Sequence, residues 1–151
     1  MSESVRIQRA LETAFAGPSW HGPSLMENLA GVSEQSARSK PVAGAHSIWE
    51  IVNHLAAWQK FTIAVMDGAP YATLQGEADW PPVGGTWENS LATLRETHRT
   101  LSGRIRDFSE EKLRENVPEA DYSWRVLLRG IASHSLYHAG QIGLLKRACA
   151  A

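Results

Sequence analysis

Between Trp87 and Ile105 the positions Trp87, Leu91, Leu94, His98, Leu101 and Ile105 follow one another at alternating steps of four and three. An α-helix turns once in about 3.6 residues, so these six side chains share one face. A stripe this regular buries itself only against other helices, and it predicts bundle packing. Three further stretches fit such a bundle. Residues 2–16 carry Ile7, Leu11, Ala14 and Phe15 on a helical stripe that Gly17-Pro18 ends. Ser47 with Glu50 has the form of a capping box, opening a helix to about Met66. Its seam is Ile48, Ile51/Val52, Leu55, Trp58, Thr62 and Val65, with His54 at the margin beside Leu55. Ser123 is placed to cap a last helix that runs to about Ala148, roughly 40 Å at the usual rise.

The segments between these helices read differently. Ser24 and Glu27 form a second capping-box pattern, before a short helical piece from Leu25 to Leu29. Residues 31–44 are polar and broken by Gly and Pro, and are read as loop. Residues 68–86, with Trp80-Pro81-Pro82 and Gly84-Gly85, lack periodicity; a connection this long in a small domain is expected to be functional. Ser109-Glu110-Glu111 opens one short helical turn, with Pro118 in the loop after it. The expected architecture is all-α: a four-helix bundle, residues 1–151 as a single domain, with a long loop between the second and third long helices.

Charge and composition narrow the function. A formal net charge of −1 gives no basic footprint for nucleic acid. The single cysteine, Cys149, excludes an internal disulfide framework and fits a reducing compartment. The first sixteen residues mix Glu and Arg with apolar residues, unlike a signal peptide. The longest stretch without Asp, Glu, Lys or Arg is 130–145, and its two His and one Gln make it a poor membrane span. A soluble cytoplasmic protein acting on a small molecule, without nucleic acid or membrane, is therefore expected.

Chemistry concentrates on the last helix. Its stripe runs Trp124, Leu127/Leu128, Ile131, His134, His138, Gln141/Ile142, Leu145, so two imidazoles stand where a bundle expects Leu or Ile. Residues four apart project from one helix face, the arrangement by which two His grip a metal ion. His54 supplies a third imidazole if the second and fourth long helices are neighbours. Three His leave a coordination position open, as in catalytic zinc sites; imidazole suits nickel, copper and iron as well. A di-iron carboxylate site is excluded, because it needs Glu-x-x-His twice and this chain has none. His98 is either a fourth ligand or a core-edge group near the site. Glu50 is either a general base, an acceptor holding His54, or only the capping-box residue. Gln141 either lines the pocket or bonds between helices, Tyr137 is read as structural, and Trp58 and Trp80 are placed near a pocket mouth. No P-loop, dinucleotide turn, Ser-His-Asp elbow or Cys-x-x-Cys occurs, and Cys149 sits too near the chain end to be a fixed nucleophile.

Three motifs carry a resemblance: H-S-I-W-E-I-V-N-H-L-A-A-W from His46 to Trp58, W-P-P from Trp80 to Pro82, and H-S-L-Y-H-A-G-Q-I from His134 to Ile142. In order and spacing over nearly the whole chain, they resemble the DinB/YfiT-like superfamily of DNA-damage-inducible bundle proteins. The resemblance implies an up-down-down-up four-helix bundle, commonly a homodimer, binding zinc or nickel. The family's metal triad falls on His54, His134 and His138. The resemblance further implies a metal-dependent thiol transferase or isomerase, with a low-molecular-weight thiol as co-substrate; it assigns no further catalytic or cofactor-binding residues. Two other readings stay open: a non-catalytic metal-binding stress-response or interaction module, and a metal-dependent hydrolase with Glu50 as base.

Overall fold

Helices begin in this chain where a short oxygen-bearing side chain can accept from an otherwise unpaired backbone N–H. The computed structural model describes residues 1–150 and holds six α-helices. They are α1 Glu3–Ala16, α2 Leu25–Leu29, α3 Glu34–Arg38, α4 Ile48–Met66, α5 Trp87–Arg106 and α6 Trp124–Ala150, with 3₁₀ turns at Gly76–Ala78 and Lys112–Arg114. Ser2 caps α1, Ser33 caps α3 and Thr86 caps α5. Ser24 and Ser47 form complete capping boxes with Glu27 and Glu50. The chain is all-α: among the described residues the only β-type pairing is one isolated bridge, Asn116 with Ser123.

That bridge adds to the reading of Ser123, which stands directly before α6. The entry to α6 is fixed by backbone pairing, with Trp124 N–H donating to Glu115 O and Val117 N–H to Tyr122 O. The Ser123 carbonyl then accepts the first α6 amides, from Val126 and Leu127. A correction concerns residues 31–44, read as loop, which contain α3. That helix has five residues and a single buried one, Ala37, so it leaves no stripe to detect. Its last residue, Arg38, lies over the Trp49 ring at 4.6 Å and fastens α3 to α4.

The four long helices each pack along two others: α4 with α5 and α6, and α1 with α5 and α6. Cross-helix pairs give their directions. Trp49 Nε1 donates to Ser90 Oγ, Thr97 Oγ1 donates to Gln59 Oε1, and Arg104 pairs with Asp67, so α4 and α5 run the same way. Gln8 meets Ser102 while Phe15 stacks on His98, so α1 runs against α5. On α6, His134 faces His54, whereas Leu145 shares a cavity wall with Ile51, so α6 runs against α4.

Two apolar clusters fill the interior. One gathers Phe15, Trp49, Leu55, Trp87, Leu94 and Ile142; the other gathers Leu11, Leu101, Ile105, Trp124 and Leu128. Each large side chain buried this way contributes about 1.5–3 kcal/mol. Where the clusters change over, the helices carry buried polar residues: His54, Gln59 and Thr62 on α4, Thr97 and His98 on α5, Ser135 and His138 on α6. Buried polar groups cost stability unless they are paired, so this layer is where a function is to be sought. No helix among the described residues is long and apolar enough to cross a membrane.

Candidate metal centre

α4 and α6 bring the three predicted imidazoles together at that changeover. His54 and His138 are buried and His134 partly so, and one nitrogen from each lies within 4.8 Å of the others. His134 Nε2 stands 3.0 Å from His54 Nε2 and 3.0 Å from His138 Nε2. The far side of two rings is tied to an oxygen. His54 Nδ1 faces the Asp79 carbonyl at 2.7 Å and Asp79 Oδ1 at 3.1 Å. His138 Nδ1 faces Gln141 Oε1 at 2.6 Å. Because those partners are acceptors, Nδ1 carries the proton in both rings, and each Nε2 presents a lone pair inward.

This arrangement tests whether the residues fit a metal ion. A neutral His134 has one ring proton at most, so its Nε2 can donate to only one of the two facing lone pairs. Protons therefore leave the cluster unsatisfied, and a divalent cation satisfies all three nitrogens at once. Nitrogens about 2.0–2.1 Å from a zinc ion stand roughly 3.3 Å apart in a tetrahedral shell, a few tenths of an ångström beyond the 3.0 Å seen here. Burial, then the charge of the neighbouring imidazoles, pushes His134 down to about 3. Burial takes His138 down to about 4 against the opposing pull of Gln141, and lowers His54 against Asp79. All three are thus neutral at neutral pH, the form that ligates.

The 68–86 connection holds the site from outside. Trp80 lies between two imidazoles, stacked on His54 at 3.9 Å and on His46 at 3.5 Å between ring centroids. Trp58 Nε1 donates to Asp79 Oδ1 at 2.7 Å, so Asp79 bridges the His54 ring and an α4 tryptophan. Two cavities open on the triad and share His54, Asp79 and His134 as a common wall. The smaller, about 390 Å³, is lined by Trp58, Tyr122, Val126, Leu127, Gly130 and Ile131. The larger, about 640 Å³, is lined by residues including His46, Trp80, Tyr137 and Gln141. Trp58 and Trp80 thus stand at pocket walls as expected, and Tyr137, read as structural, sits exposed at the rim of the larger one.

The other candidates separate from the site. His98 is buried against α1, stacked on Phe15 at 3.6 Å, with Nε2 3.3 Å from Glu12 Oε2 but not aligned for a hydrogen bond. Glu50 accepts from the Ser47 N–H and pairs with Lys40 at 2.9 Å, so it does the capping work and lines neither cavity. Gln141 is the acceptor that orients His138. Asp79 went unnoticed in the sequence, although its position next to the Trp-Pro-Pro motif was the available signal.

No curated protein and no solved structure matches the chain at a significant level. A family model described as DinB superfamily matches residues 21–142, a span that holds all three imidazoles, Asp79, Trp80 and Gln141. On that match, over most of its length, the chain belongs to the DinB superfamily.

Proposed function

We propose that this protein is a divalent-metal-dependent enzyme of the thiol-transferase type, using zinc or nickel at His54, His134 and His138 and a low-molecular-weight thiol as co-substrate. The observation that carries the reading is the convergence of three Nε2 atoms with two of the outer Nδ1 atoms already tied. Three protein ligands leave a position for an exogenous one, which is the pattern of catalytic rather than structural sites. When bound, the ion supplies Lewis acidity, lowering the pKa of a thiol or water that joins it.

The chain's own residues do the rest. Asp79 and Gln141 fix two ring orientations, as outer partners of metal-ligating His generally do. Trp58 and Trp80 cover the triad and keep bulk water from its flank. Asp79 is the one carboxylate among the described residues of either cavity wall, and so the nearest acceptor for a proton released there. The hydrolytic alternative needed Glu50 as its base. It loses that base to the capping box of α4.

The test is to purify the chain without a His tag and measure bound metal in wild type and His134→Ala. Unchanged metal content in the variant would sink the site. Thiols are then screened with electrophilic acceptors, with and without chelator. Chelator-sensitive turnover supports the enzyme, whereas a metal-loaded protein inert to every pair is the non-catalytic module instead.

A further inference from the structure

The smaller cavity differs from the larger in what it offers a ligand. Most of its polar atoms outside the triad are already engaged: Trp58 Nε1 donates to Asp79 Oδ1, His54 Nδ1 faces the Asp79 carbonyl, and the Tyr122 hydroxyl is paired with the Tyr71 hydroxyl. Leu127 and Ile131 are buried on its α6 wall, while Val126 is 54% exposed at its edge. No Lys or Arg lines it among the described residues, and Asp79 is its only formal charge. A carboxylate or phosphate on a ligand would thus meet a like charge and, away from the triad, no cation and at most the one O–H proton that the Tyr71–Tyr122 pair leaves over. Its volume of about 390 Å³ sits at the low end of the roughly 300–1,000 Å³ usual for small-molecule sites. Gly130 keeps its mouth open: a Cβ added there would meet nothing within 4 Å.

We infer that this cavity is the subsite for an uncharged, apolar organic group, ring-sized or branched, whose reactive end points at the His54–His134 wall. The larger cavity, with His46, the Tyr137 hydroxyl and the Gln141 amide, is left for the polar partner. Naming the occupant a substrate rests on the metal-enzyme reading above; the preference for an uncharged ring does not, because it follows from the lining alone. An apolar ligand covers the exposed Val126 and leaves no engaged polar atom stripped of its partner. A charged one gains nothing here except from the metal itself.

The experiment uses the full chain freed of metal by chelator and a matched pair of probes, naphthalen-1-ylmethanol and 1-naphthoate, titrated calorimetrically. The alcohol is expected to bind at least tenfold more tightly than the carboxylate. Gly130→Leu fills the mouth and weakens the alcohol at least tenfold, with no fall in thermal midpoint, since a helix former replaces a mid-helix glycine. Val126→Arg, at an exposed position that tolerates charge, supplies the missing cation and narrows the gap between the probes at least tenfold. Equal affinity of the two probes, binding of neither, or a folded Gly130→Leu that binds the alcohol as wild type does would each overturn the subsite. Metal content, measured separately on protein never exposed to chelator, judges the other reading. A protein that takes up no metal yet prefers the alcohol, and loses it in Gly130→Leu, upholds the pocket and overturns the metal centre alone.

Discussion

Gln141 offers the sharpest test of how the triad is held. Its Oε1 lies 2.6 Å from His138 Nδ1, and His138 is buried. Gln141→Leu keeps the bulk and removes the acceptor. His138 then has two poor choices. It can keep the proton on Nδ1, leaving a buried donor unpaired at about 1–3 kcal/mol. Or it can move the proton to Nε2 and lose the lone pair that ligates. At about 1.4 kcal/mol per tenfold, the first choice weakens metal binding by roughly 10- to 100-fold, the range seen when outer partners of ligating His are removed. Gln141→Glu keeps an acceptor and charges it, which roughly doubles the strength of such a bond, so affinity should match or exceed wild type. Asp79→Asn makes the control at the other anchored ring, His54. The carbonyl that meets His54 Nδ1 at 2.7 Å is main chain and survives, so the loss should stay at or below about tenfold. The assay is competition for the metal against a chromophoric chelator near neutral pH. The reasoning fails if Gln141→Leu binds within twofold of wild type, or if Gln141→Glu falls as far as Gln141→Leu.

Acid should unfold the metal-free protein earlier than its carboxylates would require. His134 is held at about 3 and His138 at about 4 in the fold, against 6.5 when unfolded. Below that higher value the unfolded chain binds more protons, so stability falls with pH, by up to about 1.4 kcal/mol per unit for each group. The urea midpoint should be level above about pH 6.5 and decline steadily toward pH 4; a flat or rising midpoint there refutes it. Two glycines of α6 should respond oppositely to alanine. Nothing lies within 4 Å of a Cβ at Gly140, so Gly140→Ala should gain about 0.5–1 kcal/mol from the helix. A Cβ at Gly143 would meet Asn28 Oδ1 at 2.8 Å, and the Asn28 amide is bonded to both Pro23 O and Ser24 O. Gly143→Ala should therefore lose about 1 kcal/mol net, and a melt showing it as stable as Gly140→Ala would refute that contact.

Much of the fold was legible because the long helices write their buried faces at helical spacing. Trp87, Leu94, His98, Leu101 and Ile105 are all buried, and α4 opens with its predicted capping box. The meeting of the three imidazoles was legible for the same reason: His134 and His138 interrupt an apolar stripe, and His54 borders one. α3 was not, since five residues with one buried alanine carry no period. Ser123 marks the start of α6, and what the sequence did not show is the backbone pairing of the preceding turn with the 115–117 segment.

Asp79 shows where a reading of periodicity must stop. It belongs to no long helix; its backbone follows a 3₁₀ turn in the 68–86 connection, so no stripe marks it. Its partners, His54 and Trp58, lie more than twenty residues upstream and one helical turn apart, and only the folded loop brings carbonyl, carboxylate and indole into register. Helix faces can place three imidazoles near a point and, through Gln141, turn His138, but they do not turn His54. The torsions that aim His54 are set by a loop whose own position depends on Trp80 stacking between His54 and His46. Which imidazoles meet is therefore a property of the helices, and the aim of His54 a property of the connection. A substitution that loosens Trp80 should act on metal affinity before it acts on the bundle.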